Sequence, residues 1–85
     1  MANIKFTKYY ADWCVPCKRM QPIIEELKTE HPEVDFSEFN IESDMDKVQS
    51  LGVSSVPTFI VEKDGVEVAR KTGMSTKAEL EALVA

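Results

Sequence analysis

The only two cysteines of the chain, Cys14 and Cys17, bracket Val15-Pro16 where a strand-like apolar run gives way to residues at helical spacing. This junction constrains the fold strongly, because a strand must deliver the pair straight into the first turn of a helix. A thiolate there faces unpaired backbone N–H groups and the positive end of the helix dipole, both of which favour its charged form. A second thiol one turn on can resolve a mixed disulfide made by the first. The expectation is a redox pair in which Cys14 is the exposed, acid-shifted nucleophile and Cys17 the deeper resolving thiol. Pro16 suits the first turn, where its missing N–H costs nothing.

The flanking pattern places that junction in an α/β chain. Ile4 to Tyr10 is rich in aromatic and β-branched residues and predicts a strand. Pro16, Met20, Ile23, Ile24 and Leu27 fall at helical spacing, and His31-Pro32 ends the helix because a residue before proline avoids α geometry. Pro22 lies inside the pattern and predicts a kink. Val34 to Ile41 reads as a second strand, and Ser43 with Asp46 as the cap of a short helix that stops at Gly52. Thr58 to Glu62 and Val66 to Lys71 flank Asp64-Gly65, a two-residue hairpin turn, so the last two strands are antiparallel. Thr76 with Glu79 caps a final helix whose stripe is Leu80, Leu83 and Val84. The early strands, joined through a helix, are expected to be parallel by a right-handed crossover. Together these predict βαβαββα, a four-stranded mixed sheet flanked by three helices, as one domain over residues 1–85.

Charge and composition narrow the function. The net charge is −5 and the ten basic residues are scattered, which argues against nucleic acid as a partner. Apolar runs such as Phe59-Ile60-Val61 fall far short of the roughly 20 residues a membrane span needs, and the start lacks a signal-peptide pattern. A cytoplasmic protein is expected, and there a close cysteine pair is more often catalytic or metal-binding than a staple. Zinc sites usually close with about four ligands, and beyond the cysteines only His31 is a further strong one, so no metal is expected. A buried, inert pair is the other bland alternative.

Tyr10-Ala11-Asp12-Trp13-Cys14-Val15-Pro16-Cys17-Lys18 and, about forty residues on, Ser55-Val56-Pro57-Thr58 together carry a specific resemblance to the thioredoxin family. Pro22, Gly65 and Gly73 also fall where that family kinks its long helix and keeps glycines. The resemblance covers nearly the whole chain, and implies a minimal, glutaredoxin-sized thioredoxin fold without the family's amino-terminal strand and helix. It implies a protein-disulfide reductase and electron donor whose Cys14/Cys17 dithiol cycles with a disulfide. The resemblance further implies that no cofactor is bound and that electrons come from NADPH through a flavin-dependent thioredoxin reductase. The implied partners are disulfide-containing protein substrates and that reductase, with the chain acting as a monomer. A cis Val56–Pro57 bond is expected beside the cysteines, with the Val56 backbone pairing to an extended substrate peptide. Trp13, Val56, Pro57, Gly73 and Met74 would rim the site, although Trp13 reads equally well as core filler. Val15 stands where most thioredoxins carry glycine, which implies an altered redox potential.

Lys8 departs from the family. It shares a strand face with Ile4, Phe6 and Tyr10, where thioredoxins usually bury an aspartate, and Glu38 on the next strand stands where they carry a lysine. The swap predicts an ion pair beneath the disulfide, since an unpaired buried charge is costly. Glu38 would then move protons to and from Cys17, and Lys8 would favour nearby thiolate. The alternative is that Lys8 snorkels outward past Tyr10. Lys18, Arg19, Glu25, Glu26 and Glu30 read as solvated helix residues. Two other functions stay open: a glutathione-linked glutaredoxin, against which stand the placement of Pro16 and the Gly73-Met74 pair, and a non-catalytic docking module.

Overall fold

The computed structural model describes residues 3–84. Strand β1 spans Ile4–Tyr10, helices α1 and α2 span Val15–Arg19 and Gln21–Glu30, and β2 spans Asp35–Asn40. Helix α3 spans Met45–Ser50, β3 Thr58–Lys63, β4 Val66–Thr72 and α4 Lys77–Val84. The sheet runs β2-β1-β3-β4, with β1 parallel to β2 and antiparallel to β3, and β3 antiparallel to β4. This is the expected four-stranded mixed sheet. Central β1 carries Lys8 opposite Glu38 on one side and Phe59 on the other.

The expected first helix is in two segments. Met20 ends α1 and begins α2, and its N–H reaches the carbonyls of Pro16 and Cys17. Pro22 sits in the first turn of α2, where no intrahelical donor is needed, so the interruption falls two residues before it. The cap of α3 also differs from expectation. Ser43 Oγ donates to the Asn40 carbonyl within the preceding turn, and Asp44 instead accepts the Lys47 N–H. Strand β2 is shorter than Val34 to Ile41, because the Val34 N–H closes a turn onto the His31 carbonyl and Ile41 lies in the turn that the Ser43 N–H closes onto the Asn40 carbonyl. At α4 the expected capping box forms: Thr76 N–H donates to Glu79 Oε1 at 2.9 Å, and Glu79 N–H to Thr76 Oγ1 at 3.1 Å. Asp64 and Gly65 both hold positive φ, as a tight hairpin turn of this kind requires.

Apolar residues divide by strand alternation. Phe6, Phe59 and Val61 pack with Met20, Ile24 and Leu27 of the interrupted helix and Leu80 of α4. On the opposite sheet face, Tyr9 and Ile60 pack with Val48 of α3 and Val53. A third cluster of Ala11, Cys14 and Cys17, touched by Tyr10, Ile41 and Val56, lies at the carboxyl end of β1. Among the described residues no helix is long and apolar enough to cross a membrane.

Candidate active site

Strand β1 ends in buried Ala11, whose carbonyl accepts the Cys14 N–H at 3.1 Å and turns the chain into α1. Cys14 is the N-cap of α1, and its Sγ accepts the Cys17 N–H at 3.1 Å. Cys14 and Cys17 are joined in a disulfide, with Cα atoms 5.3 Å apart. In this oxidised state Cys14 is only 3% exposed, against the expectation of an exposed sulfur. The reason is tertiary: Ile41 and Val56, brought in from other elements, pack against the cysteine cluster and cover it.

Trp13 and Val15 beside the disulfide are exposed, Trp13 by 64%, so Trp13 is not core filler. The Val56–Pro57 peptide bond is cis. Val56 packs against the cysteine cluster and Pro57 is buried. The Pro57 carbonyl accepts the Gly73 N–H at 2.8 Å, which ties the loop after β4 to the proline loop. Gly73 holds φ +92, a left-handed conformation that strains any residue with a Cβ, and it leads directly to exposed Met74. Sequence reasoning missed a cleft of about 380 Å³ next to this rim, lined by Ile41, Met45, Val48, Gln49, Val53, Ser54 and Ser55. Its signal was faint: Ile41 is a single apolar residue past a strand end, and Met45 an apolar residue opening a polar helix.

Lys8 is buried, yet it neither snorkels outward nor pairs with Glu38. Its Nζ donates to the Cys17 carbonyl at 2.9 Å and to Gln21 Oε1 at 3.1 Å, and lies 5.8 Å from the centre of the Tyr10 ring. Ion pairs among the described residues do not include Lys8 and Glu38. The carbonyl end of α1 offers a closer and electrostatically negative partner, which is why the ammonium turns there. Burial pushes the Lys8 amine below the usual lysine range, while the Glu38 charge works the other way. Glu38 is exposed but lines the same small cleft as Lys8, Cys17 and Gln21. Gln21, which sequence reasoning did not single out, passes the contact on through Nε2 to Glu25 Oε1 at 2.9 Å. His31 lies at the far end of α2 from the cysteines, bonded to Glu81 and Glu33.

A disulfide at the head of a helix, beside a cis-proline loop and above a mixed sheet, defines a thiol–disulfide exchange domain. The thioredoxin family model matches residues 2–85. The chain is 41% identical over 83 residues to a thioredoxin of Chlamydia pneumoniae, covering 98% of this chain and 81% of that protein. It is 36% identical over 77 residues to thioredoxin-1 of Saccharomyces cerevisiae, covering 91% and 75%. Among solved structures, a Nicotiana alata thioredoxin superposes with a TM-score of 0.88 at 36% identity, covering 94% of this chain and 69% of that one. Oxidised mitochondrial thioredoxin 3 of S. cerevisiae gives 0.89 at 29% identity, covering 96% and 77%. The chain belongs to the thioredoxin family and is a thiol–disulfide oxidoreductase with a Cys14–Cys17 disulfide.

Proposed function

We propose that the reduced chain donates two electrons to disulfides of protein substrates through a two-step exchange led by Cys14. The Cys14 thiolate attacks one sulfur of the substrate disulfide, forming a mixed disulfide and expelling the other as a thiol. Cys17, losing its proton, then attacks Cys14 Sγ, which closes the intramolecular disulfide and frees the second substrate thiol. The observation that carries this reading is the Cys14 sulfur at the N-cap of α1, where the Cys17 N–H donates to it. That donor favours negative charge on sulfur. Trp13, Val56, Pro57, Gly73 and Met74 form the substrate rim, with the Val56 backbone pairing to an extended peptide, and Val15 and Pro16 shape the turn. Backbone pairing tolerates many substrate sequences.

Glu38 accepts the Cys17 proton across the cleft they share, and the Lys8 cation favours thiolate there. This differs from a direct Lys8–Glu38 pair, because Lys8 spends its hydrogen bonds on Cys17 and Gln21. Glu38→Gln is expected to slow exchange about three- to tenfold near neutral pH and to flatten its pH profile, with the circular dichroism spectrum retained. An unchanged rate and profile would remove Glu38 from the mechanism.

No cofactor need be bound, because the dithiol holds both electrons. Recharging by NADPH through a flavin-dependent thioredoxin reductase, with residues 1–85 acting as one monomeric unit in the cytoplasm, completes the proposal. It is tested by insulin reduction with either of two electron sources. Turnover with thioredoxin reductase and NADPH is expected. Turnover only with glutathione and glutathione reductase would make the chain glutaredoxin-like, and turnover with neither would leave a docking module.

A further inference from the structure

Three methionines lie among the described residues, and their surroundings differ sharply. Met20 is fully buried at the junction of α1 and α2. Met45 and Met74 are 71% and 54% exposed. Met45 opens α3 and lines the cleft with Ile41, Val48 and Val53, a cleft that continues along Ser54 and Ser55 to the residue before Val56. Met74 follows Gly73, whose N–H holds the Pro57 carbonyl. Both exposed thioethers therefore stand on elements attached to the one loop, residues 53–57, that runs past the disulfide.

An unbranched thioether suits a surface that must adapt to many partner side chains. The same sulfur is open to two-electron oxidation wherever solvent reaches it. We propose that Met45 and Met74 are a peroxide modification site that sets substrate affinity, an inference resting on the disulfide-reductase reading above. In the step, the O–O bond of hydrogen peroxide breaks, one oxygen bonds to the methionine sulfur as a sulfoxide, and the other leaves as water. The sulfur is oxidised by two electrons and the peroxide reduced by two. The Cys14–Cys17 disulfide of the oxidised form takes no part. The rim at Met74 and the apolar cleft beside it at Met45 then each carry a strong hydrogen-bond acceptor, and pressing these against an apolar substrate strips them of water without replacing its hydrogen bonds. The dithiol remains competent, so the effect falls on binding rather than on the exchange step.

The disulfide form of the full chain is treated with hydrogen peroxide, freed of it, and mapped by peptide mass spectrometry. It is then assayed for insulin reduction with dithiothreitol as electron source. Met45 and Met74 are expected to gain one oxygen each before Met20 does. KM for insulin is expected to rise about three- to tenfold, with kcat changing by less than about twofold. The double variant Met45→Leu, Met74→Leu, treated identically, is expected to show the same KM before and after. The proposal is overturned if Met20 is oxidised as fast as the other two, if KM is unmoved once both sulfoxides are present, or if the double variant loses affinity as much as the parent. Failure of the untreated chain to reduce insulin would sink the parent reading, and this proposal with it.

Discussion

Cys17→Ser is expected to hold substrate proteins covalently on Cys14 while multiple turnover falls on the order of a thousandfold or more. The first exchange needs only the Cys14 sulfur, so the mixed disulfide still forms. Its resolution needs a second sulfur close to Cys14, and the Cα separation of 5.3 Å together with the Cys17 N–H donated to Cys14 Sγ places residue 17 there. A serine hydroxyl cannot take that role, because an alkoxide is inaccessible near neutral pH. Adducts seen on a non-reducing gel and released by dithiothreitol would establish the order of attack. Cys14→Ser is expected to give none. Trapping by Cys14→Ser instead would reverse the two roles.

Phe59→Ala is expected to destabilise the chain by about 3–5 kcal/mol, the range for emptying a buried aromatic site. A chain of this length has a total stability of roughly 4–13 kcal/mol, so the loss is a large fraction of the whole. Phe59 is fully buried near the start of β3, its ring centre 5.7 Å from that of Phe6, within the cluster that joins sheet, interrupted helix and α4. Val68→Ala on the outer strand is the comparison, because Val68 is mostly exposed, and its effect is expected to stay within about 0.5 kcal/mol. Urea unfolding of both variants measures this. A loss below about 1 kcal/mol for Phe59→Ala would mean that the site collapses around the cavity or that the core is less tightly packed than described.

Much of the fold was legible because its signals are local. The Asp64-Gly65 turn depends on two residues tolerating positive φ, and the Thr76/Glu79 box on a three-residue spacing, so each is written in neighbouring positions. The α3 cap was misassigned between adjacent residues of similar propensity. Ser43 and Asp44 can each cap a helix, and the choice falls to the Asn40 carbonyl, which takes the serine hydroxyl first. The cysteine pair and the proline loop were also visible, but their contact is not a local property: it follows from β1 lying beside β3 in the sheet.

Lys8 shows the boundary most clearly. Alternation along β1 placed it on the inner face, and the cost of an isolated buried charge required a partner. Which partner was a question of direction and distance. Register does set Glu38 opposite Lys8, but parallel strands hold the two backbones side by side without fixing where long side chains point. The Cys17 carbonyl, which also accepts the Met20 N–H, receives the ammonium, and Gln21 Oε1 completes the contact. The chain's own order of residues thus determined the strands, the turns, the redox pair at a helix start and the need to neutralise Lys8. Tertiary structure alone decided the partner of Lys8, the burial of Cys14 and the cleft beside the proline loop. These depend on side chains brought together from distant parts of the sequence, where separation in space, rather than spacing along the chain, sets the energy.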